Sequence, residues 1–212
     1  MATDRDKIAR LQYITTGATP QDIASEVALY LSGGGRWVQL RMKEHDDSMV
    51  EQTARMLLLP VHACGGVLII DDRVEVAARV KADGVHLGRG DMPPGEARHM
   101  LGDAIIGVTA NTEEDIKAAM EAGADYIGLG PMRHTATKKA LAPILGIEGY
   151  ARIMSAVKNA PPVVAIGGIT PDDVAAIART GVHGIAIGGA ISHADDPCAA
   201  TRRFVELTGL FE

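Results

Sequence analysis

The segment QLRMK, residues 39–43, places an amide and two cations at alternate positions. In an extended chain alternate side chains point to the same side, so Gln39, Arg41 and Lys43 are expected to face one way. Two cations beside an amide could attract an anionic substrate. A solvated basic turn is the alternative for such a pair, and only the neighbouring segments favour the binding interpretation.

Carboxylates follow the next two apolar segments. Asp71 and Asp72 end IIDD, residues 69–72, and Asp91 ends HLGRGD, residues 86–91. A like-charge pair near 4 Å would cost on the order of 4 kcal/mol at an effective dielectric of 20, so a divalent cation is the expected partner. Oxygen ligands favour magnesium, which needs only one or two protein carboxylates, and Asp72 and Asp91 are the predicted ligands. A helix N-cap is the alternative, but it would explain one Asp and not a facing pair.

Two later segments supply hydroxyls and more cations. Thr109 ends the run IIGVT and can offer its hydroxyl at the end of a strand. The segment GLGPMRHTATKK, residues 128–139, combines glycines, two threonines and clustered cations, which predicts a phosphate-binding loop. Its length also predicts a lid over about residues 130–145. A flexible surface loop is the alternative interpretation.

Paired glycines end two further apolar runs, as Gly167-Gly168 and Gly188-Gly189. Glycine lets backbone N–H groups approach an anion closely, and barrel enzymes often bind a phosphate after their last two strands. Tight turns alone would also use glycine, but doubled glycines at both places favour a phosphate site.

These segments all follow short apolar runs that alternate with Ala-rich segments of helical spacing. The predicted helical segments include Gln21–Leu31, Val74–Val80, Glu113–Ala122, Gly146–Val157 and Pro171–Thr180. The eight predicted strands are Leu11–Thr15, Trp37–Arg41, Val67–Asp71, Gly84–Leu87, Ile105–Thr109, Tyr126–Leu129, Val163–Ile166 and Gly184–Ile187. Eight strands favour a single (β/α)₈ TIM barrel over residues 1–212, and a six-stranded doubly wound sheet is the alternative.

The composition restricts the class of protein. An apolar fraction of 47% over 212 residues can fill one core, and a net charge of −6 argues against general binding of nucleic acid or anionic membranes. Cys64 and Cys198 lack the spacing of a zinc site or a disulfide framework. The N-terminal segment lacks the pattern of a signal peptide, so a cytoplasmic protein is predicted. Homo-oligomerisation stays open.

In order, the segments QLRMK, IIDDR, ADGVHLGRGD, ADYIGLGP, TATKK, AIGGIT and IAIGGAI resemble the thiamine-phosphate synthase family. The resemblance covers about residues 11–192. It implies a barrel that joins hydroxymethylpyrimidine diphosphate to thiazole phosphate, forming thiamine phosphate and releasing pyrophosphate.

The resemblance also assigns roles by position. It implies that Asp72 and Asp91 bind Mg²⁺ and that the catalytic cations are Arg41, Lys43 and Lys138. The remaining positions divide between the two substrates: the pyrimidine diphosphate contacts Gln39, Arg41, Lys43, Asp71, Thr109 and Lys138, and the thiazole phosphate contacts Thr135, Thr137, Gly168, Gly188 and Gly189.

Three positions depart from the family pattern. Asp71 stands where Asn is usual, and an ionised Asp cannot donate a hydrogen bond, so it is expected to join the metal or to bind the pyrimidine's amino group. Thr109 replaces Ser and keeps the hydroxyl. Gly188-Gly189 replaces Val-Ser, which removes a hydroxyl and predicts weaker binding of the thiazole phosphate.

Two relatives of different function are the alternatives. A thiazole tautomerase generally lacks the acidic pair and carries His directly after the loop glycine, where this chain has Pro131. His134 lies nearby but is expected to be solvated, and His86 is expected to be a hydrogen-bonded core histidine. A non-catalytic ligand-binding relative would be expected to lose Lys138 or the acidic pair, and this chain keeps both.

Overall fold

The computed structural model describes residues 8–134 and 143–211. Its centre is a closed barrel of parallel strands that pair in chain order, with the last strand returning to the first. The strands are β1 (Leu11–Ile14), β2 (Trp37–Leu40), β3 (Val67–Asp71), β4 (Gly84–Leu87), β5 (Ile105–Ala110), β6 (Tyr126–Leu129), β7 (Val163–Ile166) and β8 (Gly184–Ile187). Closure confirms the (β/α)₈ prediction, and the open doubly wound sheet is wrong because each strand has two neighbours.

Helices cover the outside of the barrel. Within the described residues they are α1 (Pro20–Ser32), α2 (Asp47–Ala63), α3 (Val74–Val80), α4 (Pro94–Leu101), α5 (Glu113–Glu121), α6 (Gly146–Ala156), α7 (Val174–Ala178), α8 (Gly189–Ser192) and α9 (Pro197–Leu207). Four of the five predicted helices agree within one residue. The fifth, Pro171–Thr180, divides into the 3₁₀ turn Pro171–Asp173 and α7.

Local chemistry explains where α1 begins. The Thr19 hydroxyl accepts a hydrogen bond from the Asp22 N–H at 3.2 Å, and the Asp22 carboxylate accepts one from the Thr19 N–H at 3.1 Å. This reciprocal capping box satisfies two N–H groups that the first helical turn leaves without partners. α1 therefore begins at Pro20, one residue before the predicted segment Gln21–Leu31.

The apolar residues form two packed layers because alternate side chains of each strand face opposite ways. Val38, Leu68 and Ile70 pack outward against the helices. The barrel interior is filled by a second cluster, in which the rings of Trp37 and Tyr126 meet edge to face with centroids 4.8 Å apart. The inward positions nearest the carboxyl ends of the strands are polar, and they form the mouth of the barrel.

No helix among the described residues is long and apolar enough to cross a lipid bilayer.

Candidate active site

Strands β2 and β3 bring together the first predicted group of side chains. Asp71 accepts a hydrogen bond from Gln39 Nε2 at 2.6 Å, and its other oxygen lies 3.7 Å from Arg41 Nε and 3.9 Å from Lys43 Nζ. The predicted common orientation of Gln39, Arg41 and Lys43 is confirmed. Thr15 at the end of β1 fixes this segment, because its hydroxyl accepts a hydrogen bond from the Arg41 N–H at 3.0 Å.

Asp71 is an unusual carboxyl because only 8% of it is exposed. Burial and the neighbouring Asp72 charge raise its pKa to about 6, against the opposing effects of Lys43, Arg41 and Gln39. Within the described residues, Asp71 Oδ2 and Gln39 Oε1 are buried acceptors that receive no hydrogen bond. These two acceptors belong to side chains that are joined by a hydrogen bond, and donors from a bound molecule would satisfy them.

The predicted metal ligands, Asp72 and Asp91, meet across β3 and β4. Their carboxyls are close enough to hydrogen-bond to each other, and Lys43 Nζ lies 2.8 Å from Asp72. Burial raises the pKa of Asp91, reinforced by Asp72. Burial acts in the same direction on Asp72, but the hydrogen bonds of Asp91 and Lys43 prevail and lower its pKa. Two carboxyls this close share a proton unless a cation lies between them.

The helix-cap alternative fails for both residues. The N-cap of α3 is Arg73 and that of α4 is Pro93, and neither of these helices has a side-chain cap. Asp72 instead adopts φ 63°, a left-handed conformation that is uncommon outside glycine, and such residues are found at active sites among other places. An oxygen donor pair with a strained member fits a divalent cation.

Of the two roles left open for Asp71, that of a third metal ligand beside Asp72 and Asp91 finds no support in the structure. The described residues contain no group of three acidic, His or Cys side chains that could hold a metal ion. Asp71 faces Gln39 and the cations, whereas Asp72 and Asp91 face each other. Two carboxylates are nevertheless sufficient for magnesium when substrate phosphate and water complete its shell.

Polar groups continue into the barrel below Thr109. His86 Nε2 lies 2.9 Å from the Thr109 hydroxyl, and His86 Nδ1 lies 2.9 Å from the Tyr126 hydroxyl. Gln12 Nε2 donates to that same Tyr126 hydroxyl at 3.0 Å. The prediction that His86 is a hydrogen-bonded core residue is confirmed. Its partners could not be predicted, because Thr109 and Tyr126 lie on two other strands, β5 and β6.

The first glycine pair forms a turn that only glycine fits. Gly167 has φ 105° and Gly168 has φ 68°, and a Cβ on Gly168 would lie 2.5 Å from Arg133 Cγ. Arg133 donates to the Gly168 carbonyl at 2.8 Å and forms a bidentate ion pair with Asp173 at 2.7 and 2.8 Å. Arg133 is thus occupied in holding this turn and is not a spare cation of the loop that follows β6.

The second glycine pair lies at the end of β8. A Cβ on Gly188 would lie 3.2 Å from the Ile14 carbonyl oxygen, and one on Gly189 would lie 3.2 Å from His193 Nδ1. Close packing around both positions explains glycine without any ligand. Both glycines are partly exposed, so an anion contact to their N–H groups stays a prediction.

The loop residues Thr135, Thr137 and Lys138 lie outside the described residues, so their predicted roles stay predictions. His134 is described and exposed, as expected for a solvated side chain.

A closed barrel whose polar residues gather at the carboxyl ends of its strands defines a (β/α)₈ enzyme of the usual arrangement. The family model described as thiamine monophosphate synthase matches residues 11–191. A thiamine-phosphate synthase of Bacteroides fragilis is 50% identical over 201 residues, which cover 93% of this chain and 98% of the relative. One of Flavobacterium johnsoniae is 43% identical, covering 88% and 90% of the two chains.

Solved structures agree with the sequence comparison. The thiamine phosphate pyrophosphorylase from Pyrococcus furiosus superimposes with a TM-score of 0.86 at 34% identity and covers 97% of both chains. A 3-hexulose-6-phosphate synthase from Salmonella typhimurium, at 15% identity and a TM-score of 0.74, shares the fold alone. The chain belongs to the thiamine monophosphate synthase family. It is a transferase of thiamine biosynthesis, so the resemblance in its motifs is confirmed.

Proposed function

We propose that this enzyme joins hydroxymethylpyrimidine diphosphate to thiazole phosphate in a Mg²⁺-dependent reaction that yields thiamine phosphate and pyrophosphate. One observation carries the proposal: the cations and the acidic pair of β2, β3 and β4 share a barrel mouth with the glycine turns of β7 and β8. Family membership supports the same assignment. The mouth thus offers two separate places for anions, and the reaction needs two anionic substrates.

The pyrimidine diphosphate is assigned to the β2–β4 side. Arg41 and Lys43 would bind its phosphate oxygens, since both lie at the edge of the mouth within 4 Å of Asp71. The buried acceptors Gln39 Oε1 and Asp71 Oδ2 match the two N–H groups of the pyrimidine's amino substituent. Of the two roles open to Asp71, contact with this amino group is favoured because Asp71 lies outside the acidic pair.

Asp72 and Asp91 would hold Mg²⁺, which would neutralise charge on the diphosphate leaving group. Lys43 is the residue placed to serve both groups, because its ammonium lies 2.8 Å from Asp72 and beside Asp71. We expect Lys43 to move onto the diphosphate when substrate binds.

The thiazole phosphate is assigned to the N–H groups around Gly168, Gly188 and Gly189. Gly168 has a left-handed backbone conformation, and Arg133 donates a hydrogen bond to its carbonyl oxygen. Both features fix the conformation of this turn. The hydroxyls of Thr135 and Thr137 and the ammonium of Lys138 are predicted to complete the anion contacts.

In the proposed reaction the bond between the pyrimidine methylene carbon and the diphosphate oxygen breaks, and the electron pair leaves with pyrophosphate. The resonance-stabilised cation that remains is attacked by the lone pair of the thiazole nitrogen, which forms the new carbon–nitrogen bond. No proton has to be transferred, so no general base is needed. The residues contribute by stabilising the leaving group and aligning the two rings.

The test is to incubate the protein with both phosphorylated substrates and Mg²⁺ and to measure thiamine phosphate. The proposal requires product that disappears when the metal is chelated. A Lys43→Ala variant should lose activity, whereas Lys117→Ala, the same change on an exposed helix, should keep it. Turnover of the thiazole phosphate alone without metal would indicate a tautomerase, and binding with no turnover would indicate a non-catalytic relative.

A further inference from the structure

A chain of hydrogen bonds runs through the barrel interior from β1 to the mouth. It joins Gln12, Tyr126, His86 and Thr109, with separations of 3.0, 2.9 and 2.9 Å. Three of the four are buried, with exposures of 2% for Gln12, 0% for Tyr126 and 7% for His86. Thr109, the last member, is half-buried and reaches the mouth.

The chain is accommodated by two glycines whose side chains would occupy its space. A Cβ on Gly107 would lie 2.1 Å from the Tyr126 ring, and one on Gly128 would lie 3.0 Å from His86 Cε1. Both glycines are at inward-facing positions of β5 and β6, the strands that carry Thr109 and Tyr126, and the pairing register places Gly107 opposite Tyr126 and Gly128 opposite Thr109. The interior is therefore shaped to hold these polar side chains in one arrangement.

The direction of each hydrogen bond follows from the pair at the buried end of the series, Gln12 and Tyr126. The Gln12 amide donates to the Tyr126 hydroxyl, and burial raises the pKa of Tyr126, so that the hydroxyl keeps its proton. If His86 Nδ1 also donated to this oxygen, the phenolic proton would have no acceptor among the described residues that contact it, Gln12 and His86, and an unsatisfied buried donor is costly. The Tyr126 hydroxyl therefore donates to His86 Nδ1.

The protonation of Nε2, the other ring nitrogen of His86, then follows. A neutral ring that accepts at Nδ1 carries its proton at Nε2, so His86 donates to the Thr109 oxygen. Thr109 has one proton of its own, and its oxygen is already the acceptor of this bond. That proton is left to be donated toward the mouth.

We propose that His86 is a positioning residue that, as its Nε2–H tautomer, fixes the Thr109 hydroxyl as a hydrogen-bond donor to an acceptor atom of the pyrimidine diphosphate. The role of Thr109 toward this substrate rests on the proposed function, whereas the tautomer of His86 does not. The acceptor is a ring nitrogen or a phosphate oxygen, because both accept and neither donates at neutral pH.

The direct test is NMR of the protein labelled with ¹⁵N-histidine, without substrate and at neutral pH. Long-range correlations within each ring distinguish the nitrogen that carries a proton, and His86 is assigned through its own backbone. The proposal requires Nε2–H with unprotonated Nδ1. An Nδ1–H tautomer or a doubly protonated ring would overturn it. Because no substrate is present, the result does not depend on whether thiamine phosphate is made.

A double-mutant cycle tests the link to substrate. Thr109→Val should raise the KM for the pyrimidine diphosphate by about tenfold, and Thr109→Ser should restore most of it. His86→Gln should raise the same KM in the wild type but change it less than about twofold in the Thr109→Val background, with the KM for thiazole phosphate unaffected. Equal effects of His86→Gln in both backgrounds would overturn the proposal. If His86→Gln fails to fold, Tyr126→Phe takes its place in the double-mutant cycle with Thr109→Val.

Discussion

The carboxyl of Asp71 is the residue whose chemistry differs most from an ordinary surface acid. It is nearly buried, its pKa lies at about 6, and one of its oxygens receives no hydrogen bond from the described residues. Arg41 and Lys43 approach that oxygen without reaching hydrogen-bond distance. A carboxyl of this kind is poised for a donor from substrate rather than for a structural role.

Replacing Asp71 by Asn should stabilise the metal-free protein at neutral pH. The folded-state pKa of about 6 exceeds the unfolded value, so ionisation of Asp71 costs stability as pH rises through about 4 to 6. Asn avoids that cost, and we expect a gain of about 2 kcal/mol at pH 7 that vanishes below pH ~4. Urea unfolding in EDTA measures it. Asp103→Asn, at an exposed position, is the control, and a loss of stability in Asp71→Asn would contradict the account.

The same variant should remain active, because the amide keeps an acceptor oxygen for Gln39 and the shape of the carboxyl. We expect less than a tenfold rise in the KM for the pyrimidine diphosphate. Leu has no acceptor oxygen, so Asp71→Leu should raise the KM for the pyrimidine diphosphate by more than tenfold. Steady-state kinetics would refute the amino-group contact if Leu and Asn behaved alike.

Asp91→Asn tests the acidic pair. Asn can still accept the hydrogen bond that Asp91 receives from the Gly88 N–H at 2.6 Å, but it removes the charge that a divalent cation requires. The Mg²⁺ concentration for half-maximal activity should rise by about tenfold or more. An exposed acid, Asp195, supplies the matched Asp→Asn control. An unchanged Mg²⁺ dependence in Asp91→Asn would mean that the pair is not a metal site.

At the scale of elements, the loop after β6 and the turn after β7 are joined by Arg133 and Asp173. Asp173 also accepts hydrogen bonds from the N–H and hydroxyl of Thr170, each at 2.7 Å, so one carboxylate organises the turn and the start of the following helix. Burial opposes ionisation of Asp173. The hydrogen bonds from Arg133 and Thr170 outweigh it and lower its pKa.

Asp173→Asn should therefore cost stability in a pH-dependent way. A depressed pKa means that the stabilisation is complete above the unfolded pKa, near 4, and is lost as pH falls through the lower folded value. We expect a loss of about 1 kcal/mol at pH 7, a moderate figure because Arg133 is partly exposed, and a smaller loss at pH ~3. Equilibrium unfolding at the two pH values measures it, with the exposed neighbour Asp172→Asn as control. A loss of equal size at both pH values would exclude the ion pair as its cause.

Strand positions were predictable because local pattern decides them. β3, β4, β6, β7 and β8 have the predicted bounds, and α1 begins within one residue of its predicted start. The division of the predicted helix Pro171–Thr180 into a 3₁₀ turn and α7 was not predictable. Arg133 binds Asp173 and Gly168 there, and the sequence gives no sign that residues 35 to 40 apart will meet.

For the whole molecule, barrel closure turns separate strand ends into one site. The sequence predicted which residues would gather at the mouth, because the carboxyl ends of parallel strands must lie together. It left open whether Asp71 would join the pair of Asp72 and Asp91. In the structure Asp71 faces Gln39 and Arg41, while Asp72 faces Lys43 and Asp91. That division depends on the left-handed backbone of Asp72, which turns two adjacent carboxyls apart.

The chain from Gln12 to Thr109 illustrates the same limit. His86 could be predicted to be buried and hydrogen-bonded from its place in an apolar strand. Its partners Thr109 and Tyr126 come from β5 and β6, and Gln12, which bonds to Tyr126, comes from β1. Only the closed barrel brings these side chains into one series of hydrogen bonds.

The central claim is that one barrel mouth holds a metal-bound diphosphate on one side and a second phosphate on the other. A crystal structure of the protein with pyrophosphate, thiazole phosphate and Mn²⁺, which gives an anomalous signal in place of Mg²⁺, tests it most directly. We expect the metal about 2.1–2.2 Å from oxygens of Asp72 and Asp91, pyrophosphate against Arg41 and Lys43, and the second phosphate on the N–H groups around Gly168 and Gly189. A metal bound elsewhere, or both anions on the same side of the mouth, would contradict the account.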